Sequence, residues 1–359
     1  MSNVTPQGRA AINNMMQGLQ RDQGIAPNRV TNIAPRTAQT IEERVMQSNA
    51  FLALVNNTPV REVKGDILAF GVPGNITKRT RTANADGTLR RPTDPTDLVQ
   101  RQYECHEVEQ DSVITWDKID AWAHLPNFYE RFRQQVLFAQ ARDRLKVMWH
   151  GQRTEPHSAD PELRDINEGF FQFMINELPE NVLGLNPDGS VSAVKIGEGG
   201  DFPNLDALVY HLRYELLHKL FRNRTGLRVL IGDELIVREN TSLLGAATIH
   251  QATERAATGL LLNSRSFGRT DVVESDEFPM RGVFLSELPN LSRYWQESSY
   301  RRKVAEDDHL HKGVVDFTFV REDYVVEAAE GCACVHPDAI QLKNAEGEWV
   351  GAADVWKMP

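Results

Sequence analysis

Two groups of residues in this chain have the types and spacing of metal ligands. His309 and His311 stand beside Asp307 and Asp308, and imidazole and carboxylate groups suit a metal ion. The same four residues also fit a charged loop in front of a strand that starts near Val314, and we favour this interpretation.

The second group is Cys332 and Cys334 with His336 nearby. Three ligands crowded on one extended segment would need partners from elsewhere in the chain to close a tetrahedral site. Cys105 brings the count of cysteines to three, and an odd number in a reducing compartment does not favour a disulfide framework. We therefore expect buried, unreactive thiols and no metal ion.

A glycine-rich stretch, Gly197 with Gly199 and Gly200, precedes a predicted helix and resembles a phosphate cradle, because helix N-termini bind anions. No Lys-Ser or Lys-Thr follows it, and Glu198 and Asp201 would repel a phosphate. We expect a hinge or a turn at this position.

Two further patterns also fail as catalytic sites. His106-Glu107 lacks the second histidine of a zinc-protease motif, because Gln110 occupies that position. Glu322 and Asp323 lie on a predicted strand, where adjacent side chains face opposite ways and cannot easily share a substrate. The sequence thus predicts neither an enzyme nor a cofactor.

Composition narrows the class of protein. The chain has 359 residues, a net charge of −10, 41% hydrophobic residues and 25% charged residues, which is typical of a globular protein with one large or two joined domains. No apolar run is long enough to span a bilayer, so we expect no membrane contact. The first 23 residues are polar and lack the apolar core of a secretory signal, which predicts assembly in the cytoplasm.

The most unusual element is an arm between Arg61 and Arg101 that has few core-forming side chains. Asp86-Gly87 suits a type I′ turn, so the arm is predicted to be a β-hairpin with an exposed tip. A disordered loop is the alternative. The tip carries five cationic residues against Asp86, a local net charge of +4: Lys78, Arg79, Arg81, Arg90 and Arg91. Since a lone hairpin is marginal in water, we expect the arm to contact neighbouring subunits.

Hydrophobic periodicity predicts the other elements. Residues 126–150 should form one long helix of about 36 Å, and residues 1–38 a detachable tail with a flexible stretch between Pro27 and Pro35. Phe317 and Tyr324 have opposite parity on one long strand, which predicts a bulge or a sharp twist. Further predictions are helices at 40–46, 167–176, 205–220 and 233–238, strands at 102–114 and 228–232, and a hairpin of 182–185 with 191–196.

Several phrases in the sequence carry a family resemblance when taken together and in order. They stand at residues 116–123, 199–201, 205–209, 287–292, 300–304, 323–327 and 331–332. With them, nearly the full chain resembles the major capsid proteins of P2-like tailed bacteriophages, which have the HK97-like fold. The resemblance implies a structural protein that self-assembles into an icosahedral head shell around phage DNA and resides in the virion.

The resemblance also implies a fold class and a division of the chain. The fold would be α+β, with an N-terminal arm, an extended β-hairpin loop, a peripheral domain containing the long helix, and an axial α/β domain. The implied division is 1–31 removable segment, 32–60 N-arm, 61–115 extended loop, 116–196 peripheral domain, 197–299 axial domain and 300–359 return to the peripheral domain.

The implied partners are copies of the same chain in pentamers and hexamers, a scaffolding protein that is also the maturation protease, and a portal protein. The packaged double-stranded DNA would be held without sequence-specific contacts, which agrees with an acidic chain. Removal of the N-terminal segment would cut near Thr31 or Asn32. The basic arm would dock on an acidic neighbour, and residues 322–354 hold eight acids and only Lys343.

Two other classes of protein remain open at this stage. An encapsulin-like compartment would share the fold but would enclose enzymes, and the detachable N-terminus argues against it. A metal-dependent hydrolase would use His309, His311 and Asp307, and nothing else in the sequence supports it.

Overall fold

The computed structural model of the chain describes residues 4–70, 77, 98–125, 127–247, 266–307, 310–344 and 346–351. Its helices are α1 (Pro6–Gln23), α2 (Pro35–Gln47), α3 (Trp116–Trp122), α4 (Phe128–His150), α5 (Phe170–Glu177), α6 (Leu205–His211) and α7 (Asp233–Ala247). None of the helices in these ranges is long and apolar enough to cross a membrane.

The described ranges also contain seventeen strands, besides short 3-10 and π-helical turns. In the first half of the chain they are β1 (Thr31–Asn32), β2 (Asn56–Val60), β3 (Lys64–Phe70), β4 (Leu98–Glu104), β5 (His106–Thr115), β6 (Val182–Leu183) and β7 (Val194–Ile196). In the second half they are β8 (Leu227–Ile231), β9 (Ser266–Phe267), β10 (Thr270–Val272), β11 (Val283–Glu287), β12 (Leu291–Gln296), β13 (Arg301–Asp307), β14 (Gly313–Val326), β15 (Ala333–Val335), β16 (Ile340–Lys343) and β17 (Trp349–Gly351).

The first sheet is organised by β14, which has 14 residues. Its order is β1-β13-β14-β12-β2. β5 also pairs with β14, along the edge opposite to β13. The pairing with β5 runs without a break from Gly313 to Glu322, so the predicted bulge is wrong there, while the long strand is confirmed. Even-numbered residues such as Val320 and Tyr324 face the core, whereas Phe317 and Phe319 lie on the opposite, partly exposed face. The change of parity in the sequence therefore reflects two faces of one continuous strand.

A second six-stranded sheet has the order β6-β15-β11-β8-β10-β9, and β17-β16-β7 form a smaller sheet. The hairpin predicted for 182–185 and 191–196 is confirmed only next to its turn, where an antiparallel bridge joins Leu185 to Val191 and the Ser192 amide donates to the Gly184 carbonyl oxygen at 2.8 Å. The pairing does not extend to β6 and β7. Instead β6 pairs with β15 and β7 with β16, both from the end of the chain. The local turn is present, since the Gly189 amide donates to the Asn186 carbonyl oxygen at 2.9 Å.

The predicted helix at 205–220 is also interrupted. α6 ends at His211 and is followed by one π-helical turn, Leu212–Leu216. The backbone of Leu217 is then extended. Sheet membership does not follow the predicted divisions at 197 and 300. β12 precedes residue 300 but lies in the first sheet, whereas β15 follows it and lies in the second. The division into domains stays a prediction.

The predicted long helix is confirmed as α4, which has 23 residues. Its C-terminal half is anchored by Trp149, which is fully buried. Five phenylalanine rings surround the indole at centroid distances between 4.8 and 6.0 Å: Phe51, Phe170, Phe171, Phe278 and Phe284. Because these rings come from separate parts of the chain, the cluster fixes the helix against the remainder of the body.

Four fully buried charged residues join α2 and α4 to the first sheet. Glu42 on α2 accepts hydrogen bonds from Arg144 on α4 and from Arg293 on β12, at 3.0 and 2.7 Å. Arg293 also donates through Nε to Glu322 Oε2 on β14 at 2.8 Å. Tyr324 donates its hydroxyl to Glu322 Oε1 at 2.7 Å. The network contains two cations and two anions, so its formal charge is balanced.

Burial and partner charges oppose each other in this network. Burial alone would raise the pKa of Glu322, but Arg293 and Arg144 outweigh it and lower that pKa. Burial would likewise lower the pKa of Arg293, but Glu322 and Glu42 raise it. Glu322 and Arg293 are therefore held in their charged forms by their buried partners.

The network yields the first prediction. The variant Arg293→Met should lower the free energy of unfolding of the unassembled subunit by about 3–5 kcal/mol, because the buried Glu322 loses its directly bonded cation and Glu42 keeps only Arg144. Urea unfolding provides the measurement. Arg321→Met is the control, since Arg321 forms an exposed pair with Glu107 worth about 0–1 kcal/mol. Equal losses in the two variants would contradict the role of the network.

Candidate assembly interface

The root of the predicted arm is a two-stranded antiparallel hairpin of β3 and β4. Its register runs from Lys64 opposite Glu104 to Phe70 opposite Leu98. The predicted contact residues of the tip lie outside the described residues: Lys78, Arg79, Arg81, Asp86, Gly87, Arg90 and Arg91. The hairpin is thus confirmed at its root, and its tip stays a prediction.

An ion pair fastens this root to the body. Arg101 on β4 is 7% exposed and donates to Glu330 Oε1 at 2.9 Å. Its Nε also lies 3.6 Å from Glu177 Oε2 on α5. Ile67, which pairs with Arg101 across the hairpin, is buried in the main core. The start of the arm therefore has a fixed direction relative to the subunit.

Tyr103 packs on both sides of its ring. The ring meets Tyr294 of β12 edge-on with centroids 5.1 Å apart. On the facing strand, a Cβ atom at Gly65 would lie 2.7 Å from the Tyr103 hydroxyl oxygen, so a side chain there would displace the ring. Glycine at this position lets the ring close over the hairpin.

Asp323 joins the last residues of the arm to β14. Its carboxylate accepts hydrogen bonds from the amides of Glu104 and Tyr324, at 3.0 and 2.9 Å. Burial raises the pKa of Asp323 to about 7, and the negative charges of Glu168 and Glu104 add to the increase. A titratable group therefore lies at the base of the arm.

The predicted processing site lies on a strand. Thr31 and Asn32 form β1 and pair with Arg302 and Arg301 of β13. On the C-terminal side, the Ile33 amide donates to the Tyr300 carbonyl oxygen at 3.1 Å. The expectation of a flexible stretch between Pro27 and Pro35 is therefore wrong, because β13 holds its backbone. Whether a protease cuts there stays a prediction.

The N-terminal segment is likewise folded against the body. Ile12, Met15 and Leu19 of α1 are buried in one cluster with residues of α3 and the first sheet. The predicted tail is therefore ordered on the body, because these apolar residues find partners nearly 300 positions away in sequence, and whether it detaches stays a prediction.

The outer face of the first sheet carries charge in two separate rows. On β5, Glu107, Glu109 and Asp111 are exposed. On the far side of β14, Arg301 and Lys303 project from the same face, since they pair with Phe319 and Phe317. Burial and the neighbouring Glu109 raise the pKa of Asp111, whereas Glu107 forms an exposed ion pair with Arg321 of β14 at 3.4 Å.

Several acids between residues 322 and 344 have partners within the subunit. Glu322 is buried in the charge network, and Glu330 pairs with Arg101 of the same chain. Glu327 accepts a hydrogen bond from the Tyr294 hydroxyl at 2.8 Å. The sequence count of acids overlooked these internal partners.

The first group of candidate metal ligands, around Asp307 and His311, makes a contact within the chain. His311 lies 2.6 Å from Asp307 Oδ2, while Asp308 and His309 fall outside the described residues. Within the described ranges, no cluster of three or more His, Cys, Asp or Glu side chains could hold a metal ion.

The three cysteines are buried and free. Burial raises the pKa of the Cys105 and Cys332 thiols to about 12, so they are protonated at neutral pH. The Cys332 thiol contacts Ser286 and Asn290. These contacts agree with the expectation of unreactive thiols.

The glycine stretch forms a turn, as one of the two predicted alternatives stated. The Gly200 amide donates to the Gly197 carbonyl oxygen at 2.9 Å. Asp201 accepts a hydrogen bond from the Lys195 amide at 2.9 Å. The carboxylate thus stabilises the turn itself.

The important residues that periodicity missed are charged residues inside apolar stretches. Arg293 stands between Leu291 and Trp295, Glu322 follows Val320, and Arg144 precedes Leu145. A charge in a strand or helix segment of this kind needs a buried partner. That rule predicts a network but does not identify the partners.

The second prediction concerns Asp323. The pKa of Asp323 is about 7 in the folded chain and 3.8 in the unfolded chain. Its contribution to stability is therefore complete below about pH 4 and is lost as pH rises through 7. Asp323→Asn should therefore flatten the decline in stability of the unassembled subunit between about pH 4 and 7. Urea unfolding at several pH values tests this, and an unchanged slope would contradict it.

The subunit is an α+β body with an anchored hairpin root and an N-terminal segment folded against its first sheet. The structure of a satellite phage P4 procapsid that includes the size determination (Sid) protein matches it with a TM-score of 0.73 and 27% identity, covering 94% of this chain and 99% of that one. The fold is the HK97-like fold of phage capsids.

The sequence profile of the family described as "Phage major capsid protein, P2 family" matches residues 11–337, so the chain belongs to that family. The "Capsid proteins" of Escherichia phage P2 are 29% identical over 308 residues, covering 84% of this chain and 85% of the relative. The "Major capsid protein" of Serratia phage KSP20 is 26% identical over 302 residues, covering 82% and 85%.

The chain is a structural protein of the virion that forms the icosahedral shell of a phage head from many copies of itself. The predictions of fold, family and function are confirmed. The family match favours the phage shell over the encapsulin-like compartment and the metal-dependent hydrolase.

Proposed function

We propose that this capsid protein assembles as pentamers and hexamers in the host cytoplasm around an internal scaffolding protein that is also the maturation protease. A portal protein occupies one vertex, and double-stranded DNA is packaged without sequence-specific contacts. The similarity to a procapsid subunit supports assembly through a precursor shell. The net charge of −10 supports a container that does not bind DNA tightly.

We further propose that the basic tip of the arm docks on the acidic row of a neighbouring subunit. The observation that carries this is the exposed row of Glu107, Glu109 and Asp111, which faces outward beside Phe317 and Phe319. The arm tip has a net charge of +4 and few apolar residues, so charge is its main means of recognition.

The opposite charge on β13 gives this docking a direction. Arg301 and Lys303 repel a basic arm that moves across β14, whereas the acids of β5 attract it. Each exposed pair contributes only about 0–1 kcal/mol, so the effect is on register and encounter rate more than on affinity. Repetition around a closed shell multiplies this bias.

The third prediction tests the docking by charge reversal. Replacing Arg79, Arg81, Arg90 and Arg91 with Glu should slow assembly at least about tenfold at low salt, because four attractive contacts become repulsive. Thermal unfolding of the subunit should hardly change. Light scattering across a salt series, in the presence of the cognate scaffold, measures the assembly rate.

Reversal of the acidic row provides the matched test of location. Glu107→Lys, Glu109→Lys and Asp111→Lys together should slow assembly alone but restore it when combined with the reversed arm. The control carries three reversals at other exposed acids, Glu43, Glu346 and Glu348. Rescue of the reversed arm by the control set, or by neither set, would refute docking on β5.

The fourth prediction concerns processing. A cut at or near Thr31 and Asn32 would remove three arginines and one aspartate, which makes the shell more acidic. Intact-mass measurement of the protein from virions should show a chain that starts near residue 32. Recovery of only the chain that starts at residue 1 or 2 would count against removal.

A further inference from the structure

The N-terminal segment has the form of a ligand for the body. Ile12, Met15 and Leu19 recur at steps of three and four residues on one face of α1 and are at most 6% exposed. Gly24 ends the helix in a left-handed conformation (φ 69°), and the next residue, Ile25, is 1% exposed. The residues on the outer face of the helix are polar and exposed: Asn13, Asn14, Gln17, Gln20 and Arg21.

The surface under these residues belongs to the part of the chain beyond the processing site. Buried apolar residues of α3, β5, β12, β13 and β14 form one cluster with α1: Ile119, Ile114, Trp295, Val304 and Val314. We call this surface the α1 seat. The α1 seat is therefore formed by residues that follow β1, so it does not depend on the covalent connection through β1.

Polar contacts fix both ends of the helix on the α1 seat. At its start, the Thr5 hydroxyl donates to Asp120 Oδ1 at 2.7 Å, and Arg9 pairs with Glu306 at 2.7 Å. At its end, Arg302 donates to Gln23 Oε1 at 2.6 Å.

The loop after the helix is bound in the same way. The Asn28 amide donates to the Val304 carbonyl oxygen at 2.9 Å. Each of these contacts joins a residue before Thr31 to a residue after Asn32. A cut between them breaks none of these contacts.

We propose that the excised N-terminal segment stays bound to the α1 seat as a separate peptide chain after the cut. The inference rests on the proposed processing at Thr31 and Asn32. Before the cut, the tether holds the segment at an effective concentration in the millimolar range. Afterwards the apolar face and the end contacts alone retain it, so peptide bond hydrolysis and loss of the segment are two separate events.

The test separates those events in the full chain. A recognition sequence for a site-specific protease is inserted between the exposed residues Arg29 and Val30, which keeps Asn28 in place, and the unassembled subunit is cut after folding. Size-exclusion chromatography followed by mass spectrometry then shows whether the N-terminal peptide elutes with the body. We expect co-elution, and separate elution of an intact peptide from a folded body would overturn the proposal.

Paired variants test whether the α1 seat is the binding site. Ile12→Asp places a charge on the buried face and should accelerate peptide release about a hundredfold or more. Asn13→Asp adds the same charge on the exposed face and should release the peptide at the rate of the parent chain. Equal rates in the two variants would overturn the assignment.

Ile12→Asp could unfold the subunit, so circular dichroism before the cut checks its fold. A second, milder variant keeps the test informative if Ile12→Asp is unfolded. Thr5→Ala removes the hydroxyl contact to Asp120 and should accelerate release several-fold. Release from Thr5→Ala at the parent rate, together with unfolding of Ile12→Asp, would count against the α1 seat. Because the cut is engineered, these outcomes do not depend on natural processing, which the mass of the virion protein decides.

Discussion

The arrangement of this subunit depends on the buried charge network of Glu42, Arg144, Arg293 and Glu322. Removing charges from water is costly, and the network offsets this cost only when all four groups are present in the right geometry. A displacement of α2 or α4 along the sheet would leave a buried charge without its partner. The network therefore restricts how the helices can lie on β12 and β14 more strongly than apolar packing would.

Both candidate assembly elements are attached beside this network. Glu322 and Asp323 are neighbours on β14 and face opposite ways, as alternation along a strand requires. Glu322 faces inward to Arg293, whereas Asp323 holds the Glu104 amide at the base of the arm. The fixed position of β14 thus determines where the arm leaves the subunit. β13, which pairs with β14, holds β1 and the loop before it.

Local pattern predicted the elements whose stability is mainly local. The period of apolar residues predicted α4 to within two residues at its start, and the resemblance carried by short phrases predicted the fold class. Pairing partners were not predictable in the same way, because alternation defines the faces of a strand but not its neighbours. The short strands β6 and β7 illustrate this, since their partners β15 and β16 come from the end of the chain.

The sequence also did not predict which charged groups pair with one another in the candidate interface. The sequence alone shows the +4 charge of the arm tip. It also suggests residues 322–354 as the acidic partner, but in the structure several of these acids already pair with cations of the same chain. Counting charges ignores which of them are already neutralised within the subunit. Only the acids that remain exposed, such as those on β5, can attract a neighbour. Since the arm's root is fixed by Arg101 and Tyr103, its charged tip can search only a limited region of that neighbour, and weak contacts then suffice to select one register.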